Sequence, residues 1–327
     1  MKMKLSLKTV VAASLILAAS ILSNVQAQPD KFPDGKPIFI TVGYPAGGGL
    51  DLTTRVVAAE VSKILGVPVL VQNKPGANGM ISIRSILSAN ADGHNLFADA
   101  PGVVMNPWLF STIPYDPISD ITPVSQMVAV PWVLVVNPQL PIRSLQDFIT
   151  FTRNKGDRLT MANTGASLQL AGELIRQKAD IQFTWIPYKG AGQAAPAVVT
   201  GEVDGMVTDT GTSLQLIKSG KLRALVVTSE VRSGQLPDVP TAKEAGLDLQ
   251  AESWFGIFAS SKTPQHIVDR LNAVFNQALR KPEVIQRLSQ LDLRPVEKTP
   301  REFSDFYLSE LTRWRDIVKK SQIKPAN

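Results

Sequence analysis

The stretch from Ile38 to Arg55 constrains this chain more than any other. Ile38, Phe39, Ile40 and Val42 form a short apolar run of the kind that makes a buried strand, and Pro45 with Gly47, Gly48 and Gly49 ends it. Leu52, Val56, Ala59 and Ile64 then recur at the spacing of one helix face, with Asp51 near the helix start. The order strand, glycine turn, helix predicts an α/β unit. Successive glycines leave their N–H groups unscreened, and the following helix aims unpaired N–H groups and the positive end of its dipole back at the turn. Such a turn suits an anion. It has no lysine in the position a triphosphate loop requires, and its glycines do not follow dinucleotide spacing. A small anion such as a carboxylate is the sharper reading, and a tight turn without a ligand is the plain one.

Met1 to Ala27 reads as a cleavable signal peptide. Lys2, Lys4 and Lys8 form a basic start, Val10 to Leu22 an apolar centre, and Val25-Gln26-Ala27 a small-residue cleavage site before Gln28. The apolar run is too short to span a bilayer comfortably, so an exported chain that is not inserted in the membrane is expected. The chain has no cysteine, which excludes a disulfide and a lipobox anchor and places the mature protein free in the periplasm. Removing the three lysines lowers the formal charge from +6 to +3, too mild to point to nucleic acid or an anionic membrane.

The remainder is longer than one core usually serves, so two lobes are expected. After the first helix, Val67 to Gln72 reads as a strand, Asn73 to Gly79 as a loop, Met80 to about Ala89 as a helix and Leu96 to Ala98 as a third strand. Strands alternating with helices indicate a mostly parallel sheet, whose ligands sit beyond the carboxyl ends of the strands. The loops Tyr44 to Gly49, Asn73 to Gly79 and Ala98 to Gly102 all lie at that edge. Ile121 to Asn137, apolar and rich in valine, reads as the strand that leaves the first lobe. A second α/β set follows, with turns at Asn163 to Ser167, Tyr188 to Gly192 and Asp209 to Thr212, and Leu222 to Thr228 as its return strand. Thr241 to Gly246 reads as a short helix, Ser253 to Ala259 as a strand, and Pro264, Pro282 and Pro300 each start a closing helix expected to pack on the first lobe. The expected division is signal peptide 1–27, first lobe 28–125 and 230–327, and an inserted second lobe 126–229.

Catalytic side chains are few. His94 and His266 are the only histidines, and neither has a metal-type neighbour, so both read as surface residues. There is no nucleophile elbow and no zinc-protease motif. The second lobe offers Thr164 and Ser167 as hydroxyl donors to a carboxylate, with Ser167 alternatively capping a helix from Leu168. Asp209 reads as a cleft carboxylate or as a helix cap, and Lys189 as a weak candidate for a distant ligand charge. Tyr44, Trp108, Trp185 and Tyr188 fall near strand ends, where aromatics serve as rim packing or face an aromatic ligand.

Taken in order, Tyr44-Pro-Ala-Gly-Gly-Gly-Leu-Asp51, Val71-Gln-Asn-Lys-Pro-Gly-Ala-Asn-Gly79, Ala91-Asp-Gly93, Leu170-Ala-Gly-Glu-Leu174, Pro187-Tyr-Lys-Gly190, Gly201-Glu-Val-Asp204 and Leu236-Pro-Asp-Val-Pro-Thr241 resemble the Bug family, the periplasmic receptors of tripartite tricarboxylate transporters. The likeness runs through essentially the whole mature chain. It departs at Gly49 and Leu50, where the family often carries Pro and a hydroxyl residue, at His94 in place of Tyr, and at Gln169 in place of His. The resemblance implies an α/β, two-lobed periplasmic binding protein, a type II-like Venus flytrap that closes on a small carboxylate. It would do so through N–H groups, hydroxyls and bridging water, with no cofactor and no catalysis. The positions it carries over are Ala46, Gly47, Gly48 and Asp51 from the first lobe and Thr164, Ala166, Ser167 and Asp209 from the second. Tyr44, Gly76, Ala77, Asn78, Gly79, Tyr188, Lys189 and Gly190 form a second rank at the rim. The partners it implies are the ligand and the membrane subunits of the transporter, with a monomer expected. Two other readings stay open: a ligand sensor read by a signalling kinase, and an exported α/β enzyme acting on a carboxylate. Dicarboxylates, tricarboxylates, aromatic acids, amino acids and amides all stay open as ligands.

Overall fold

The computed structural model describes residues 32–155 and 158–320, so the expected signal peptide 1–27 lies outside the described residues. The first unit follows the alternation in the sequence. Strand β1 (Ile38–Val42) feeds α1 (Gly49–Leu65), then β2 (Val69–Asn73), α2 (Met80–Leu87), β3 (Asn95–Asp99) and α3 (Gly102–Leu109). Strands β2, β1 and β3 are parallel neighbours, so the loops after β1, β2 and β3 share one edge.

Strand β4 (Ile121–Val136) is long and almost wholly buried. Its first part pairs antiparallel with β9 (Glu252–Ser260), which itself lies against β3. The short β10 (Arg294–Pro295) pairs at Val128 and Ala129. From Trp132 onward β4 pairs instead with β7 (Gly205–Asp209) and β8 (Arg223–Val227). Beyond β7 come β5 (Thr160–Asn163) and β6 (Thr184–Pro187), both parallel, with β6 at the edge. Helices α4 (Leu145–Lys155), α5 (Ala166–Ala179), α6 (Ala191–Thr200) and α7 (Thr210–Lys218) connect this second sheet. The chain returns beside β4, where Thr228 donates its N–H to Trp132 O at 2.9 Å and accepts that of Ala251 at 2.8 Å. Helices α8 (Gln265–Leu279), α9 (Pro282–Gln290) and α10 (Pro300–Lys320) complete the described chain.

Several expectations are corrected. Helix α1 buries Leu50, Val57, Ala58 and Val61, while Leu52 is 39% exposed and Ala59 is exposed. Thr53 and Thr54 complete the buried face by returning their hydroxyls to Gly49 O and Leu50 O, each at 2.7 Å, which hides their polarity inside the helix. Helix α3 has no counterpart in the sequence reading. Apart from the buried Asn106 it is apolar all round, and it contains Pro107; the Val103 carbonyl that Pro107 cannot meet accepts the Tyr115 hydroxyl at 2.9 Å. Thr241 to Gly246 is a run of turns, although Thr241 and Glu244 bond reciprocally as at a helix start, because Gly246 ends the segment after one turn. His94 is mostly buried, its ring against Phe32 and Nε2 3.0 Å from Pro33 O. Helix α10 does not serve the first lobe alone: Trp314 packs edge-on to Trp132, at the point where β4 changes sheets.

The edge that carries the loops is held by a close backbone crossing. Gly43, after β1, passes the turn at Gly79 so tightly that a Cβ there would lie 2.8 Å from Gly79 Cα and 2.7 Å from Ser82 Oγ. Gly43→Ala therefore has to drive the two loops apart. Chemical denaturation should show a loss of about 1–3 kcal/mol, and an unchanged midpoint would mean that the loops yield freely.

Candidate ligand-binding cleft

A cleft of about 510 Å³ opens between the two sheets, within the size range of small-molecule sites. The first lobe contributes the β1–α1 loop through Tyr44, Pro45, Gly48, Gly49, Leu50 and Asp51, together with Asn78, Ala100 and Pro101. The second contributes Thr164, Gly165, Ser167, Leu168 and Asp209, while Trp132, Ser253 and Phe255 come from the crossover strands. Among the described residues, no lysine, arginine or histidine lines it.

Two helices open onto this cleft from opposite lobes with no side chain capping their N-termini. Helix α1 starts after Gly48, and α5 after Gly165, whose φ of 149° suits glycine. Their first N–H groups and positive dipole ends are therefore directed at the space between the lobes. Beside the second terminus, Thr164 Oγ1 is shielded from solvent and has no hydrogen-bond partner. Ser167 lies within the first turn of α5 and not at its cap, because the helix begins at Ala166. Its hydroxyl lies 3.3 Å from Met105 Sδ on α3, a weak acceptor from the other lobe.

Asp51 braces the loop. Its carboxylate, only 3% exposed, accepts the Gly47 N–H at 2.9 Å, Asn73 Nδ2 at 2.9 Å and Arg55 Nε at 3.0 Å. Burial opposes its charge, but the bonds from Arg55, Gly47 and Asn73 outweigh that and hold the carboxyl below its ordinary value. Ala46 and Gly47 belong to the same exposed loop but lie outside the cleft lining, and Gly47 turns its N–H toward Asp51.

Gly76, Ala77, Asn78 and Gly79 have φ of 133°, 47°, 50° and 86°, a continuous left-handed turn. Only Asn78 reaches the cleft. Its amide donates to Asn106 Oδ1 at 2.6 Å and its carbonyl accepts from Asn106 Nδ2 at 3.1 Å, which secures a backbone that an L-residue otherwise avoids. Beneath the turn lies the carboxyl of Asp99, fully buried at the end of β3. Oδ1 accepts the Ala100 N–H at 2.7 Å while Oδ2 has no partner. Burial pushes this carboxyl up to about 8, against the opposing effect of Ala100 N–H and the Tyr44 hydroxyl.

Asp209 ends β7 and occupies the N-cap position of α7, yet its side chain makes no capping bond. Burial raises it to about 6, opposed by the polar indole of Trp132, its partner across the strands. Ala166 opens α5. Tyr188, Lys189 and Gly190 lie outside this cleft: β6 is an edge strand, so its loop is displaced from the junction of β4 and β7. Tyr188 there donates to Glu202 at 2.8 Å, Lys189 is exposed, and Gly190 caps α6. Of the four aromatic candidates only Tyr44 lines the cleft; Trp185 packs edge-on to Phe183 and bonds Glu173. The sequence reading missed Trp132, Ser253 and Phe255 as cleft residues. The one available signal was that Trp132 follows Pro131 inside the strand already expected to join the lobes.

Fold and cleft together define a two-lobed receptor for a small solute. The chain matches the family described as Tripartite tricarboxylate transporter family receptor (TctC) over residues 53–323. It is 34% identical over 315 residues to protein BugT of Bordetella pertussis, covering 94% of this chain and 95% of BugT. Among solved structures it is similar to MatC of Rhodopseudomonas palustris with bound malate, at 32% identity and a TM-score of 0.72, over 86% of this chain and 98% of that one. It is also similar to Rpa4515 of R. palustris with adipate, at 28% identity and a TM-score of 0.77, over 89% and 98%. The chain belongs to the TctC (Bug) family of solute-binding receptors and has the periplasmic binding protein fold. Among the described residues, no helix is long and apolar enough to cross a membrane, and no group of His, Cys, Asp or Glu is placed to hold a metal.

Two outcomes are expected from these carboxyls. Asp51→Ala removes the buried acceptor of three donors, while half-exposed Arg55 keeps Asn73 Oδ1 at 2.9 Å, so urea denaturation should show a loss of roughly 1–3 kcal/mol. A change within error would mean that the loop supports itself. Asp99 holds a proton in the folded state that the unfolded chain releases above its ordinary value near 4, so folded stability falls as pH rises from about 4 to 8. Asp99→Asn lacks this dependence. Its melting temperature relative to the parent should rise between pH 5 and 9, by about 5 °C or more; parallel melting curves across that range would contradict the assignment.

Proposed function

We propose that this chain is a periplasmic solute-binding protein, exported by the signal peptide 1–27, that captures a small carboxylate by closure of its lobes. It then delivers that ligand, as a monomer, to the membrane subunits of a tripartite tricarboxylate-type transporter. The observation that carries this reading is the pair of uncapped helix N-termini, α1 and α5, opening onto one cleft from opposite lobes beside an unpartnered Thr164 hydroxyl. Each presents backbone donors suited to an oxygen anion, and neither encloses one alone. The lobes correspond to residues 28–125 with 230–327 and to the inserted 126–229. Their hinge is the pair of crossovers at β4 and at Thr228 to Ala251, which allows rigid-body closure. The bound malate and adipate of the two R. palustris relatives support a carboxylate. The family's being one of receptors supports binding without turnover.

A thermal-shift screen of the mature protein against mono-, di- and tricarboxylates, aromatic acids and amino acids tests this. A ligand at a hundredfold excess over its dissociation constant should add about 2.7 kcal/mol to stability, and Ser167→Ala should weaken the shift. Chemical conversion of a bound compound, or stabilisation by uncharged compounds alone, would sink the proposal.

A further inference from the structure

A second cavity, of about 400 Å³, lies beside the two crossovers and shares only Ser253 with the cleft. The sheet contributes Gln126, Glu252 and Arg294 to it, and α10 contributes Phe306, Glu310 and Arg313. A helix packed on a sheet ordinarily meets it with apolar side chains, but this contact is charged. Its two buried acids already have their donors. Glu310 holds the indoles of Trp254 and Trp314 and pairs with Arg313, while Glu252 pairs with Arg294 at 3.1 Å. Glu230, the remaining acid of the lining, is exposed to water. Two other groups are unmet. Lys298 is partly buried, with Nζ 3.8 Å from the centre of the Phe306 ring, and has no ion-pair partner among the described residues. Burial lowers its ammonium below the ordinary value, and nearby Arg294 acts in the same direction, so the two cations repel each other. Gln126 is 3% exposed, and its amide oxygen is shielded from solvent without a hydrogen-bond partner. A buried acceptor in that state costs stability until something donates to it.

We propose that this cavity is a second ligand site, distinct from the cleft, for a hydroxylated phosphate monoester of glycerol or sugar size: its phosphate meets Lys298 and Arg294, and a hydroxyl donates to Gln126. An oxyanion is the complement of two adjoining cations. Arg294 engages Glu252 through Nη2 alone, which leaves N–H groups of its fork for a tetrahedral phosphate that the Lys298 ammonium reaches from another side. The cavity is larger than a phosphate group needs, so the rest of the ligand occupies it as well. That remainder has to carry O–H groups, because the amide oxygen of Gln126 only accepts. Ala129 of β4 and Gln250 of the return also line the cavity, so an occupant touches both crossovers at once. The site is independent of what the cleft binds.

Calorimetric titration of the mature protein at neutral pH tests this with glycerol 3-phosphate and glucose 6-phosphate. The controls are propyl phosphate, which lacks the hydroxyls, and glycerol and glucose, which lack the phosphate. At least one hydroxylated phosphate should bind about tenfold or more tighter than propyl phosphate and than its phosphate-free parent. Lys298→Met should abolish that binding, Gln126→Leu should reduce it to the level of propyl phosphate, and Ser167→Ala in the cleft should leave it unchanged. The comparison of ligands on the parent stands alone should a variant fail to fold. Absence of binding by both hydroxylated phosphates, or equal binding by propyl phosphate, would overturn the proposal. Binding that survives Lys298→Met but is lost in Ser167→Ala would place the ligand in the cleft and overturn it too. None of these outcomes bears on the capture of a carboxylate by the cleft, so the two readings stand or fall separately.

Discussion

The architecture depends on one strand belonging to two sheets. Up to Pro131, β4 is a member of the first sheet through β9; from Trp132 it is a member of the second through β7 and β8. A strand buried on both faces cannot expose polar side chains freely, which is why Ile121 to Val136 is so rich in valine. Any rotation of one sheet against the other has to be absorbed where the pairing changes, and in the neighbouring return at Thr228 and Ala251. Trp132, the first residue on the far side, lines the cleft and stands opposite Asp209 across the β4–β7 ladder. Lobe movement and the chemistry of the cleft therefore meet in one side chain.

The C-terminal helix prevents this junction from being two bare strands. Glu310, 2% exposed, accepts the indole N–H of Trp254 at 3.1 Å and of Trp314 at 2.9 Å, and pairs with Arg313 at 3.1 Å. A carboxylate so deeply buried is tolerated because every direction around it holds a donor, and charge-assisted bonds are the strong ones. Trp314 is thereby fixed against Trp132 with ring centroids 6.3 Å apart, so the last helix spans the crossover from behind. The proposed closure of the lobes would either carry this contact along or shear it, which would tie the hinge to residues far from the cleft in sequence.

The order of elements was legible because hydrophobic period and turn chemistry agree along most of the chain. The three closing helices have prolines at their starts, and each loop after β1, β2 and β3 is marked by glycine or proline. Where the signals conflict, the reading failed for identifiable reasons. Helix α3 has a single polar side chain, the buried Asn106, too little to give it a period, and it carries Pro107, so nothing in sequence separates it from a loop. The buried face of α1 was misplaced because Thr53 and Thr54 count as polar by type but conceal their hydroxyls in the helix backbone. In the cleft, the loops at strand ends were visible, since sheet topology dictates where such ends lie. The residues on the crossover strands were not, because whether Trp132, Ser253 or Phe255 faces the cleft depends on where β4 changes sheets. The engagement of Asp51 was hidden for a similar reason: Asn73, its partner, is 22 positions away and arrives only through the β1–β2 pairing.

In the function proposed above, a cleft lined by no cation among the described residues would favour an anion, and the means it uses would also govern when it closes. The N-terminus of a helix carries roughly half a positive charge. Helices α1 and α5 bring two such ends, from different lobes, to one space. With nothing between them the two ends repel, and each leaves backbone donors to water, so the separated arrangement is favoured. An anion placed between them converts that repulsion into two attractions and satisfies both sets of donors at once. Its interaction is therefore stronger in the closed state than in the open one, which is the condition for a ligand to drive closure. A fixed arginine on either lobe would bind an anion in the open state as well, and would find Asp209 as a partner when no anion was present. Backbone dipoles that belong to different lobes avoid both outcomes, because the site exists only when the lobes and the ligand are together.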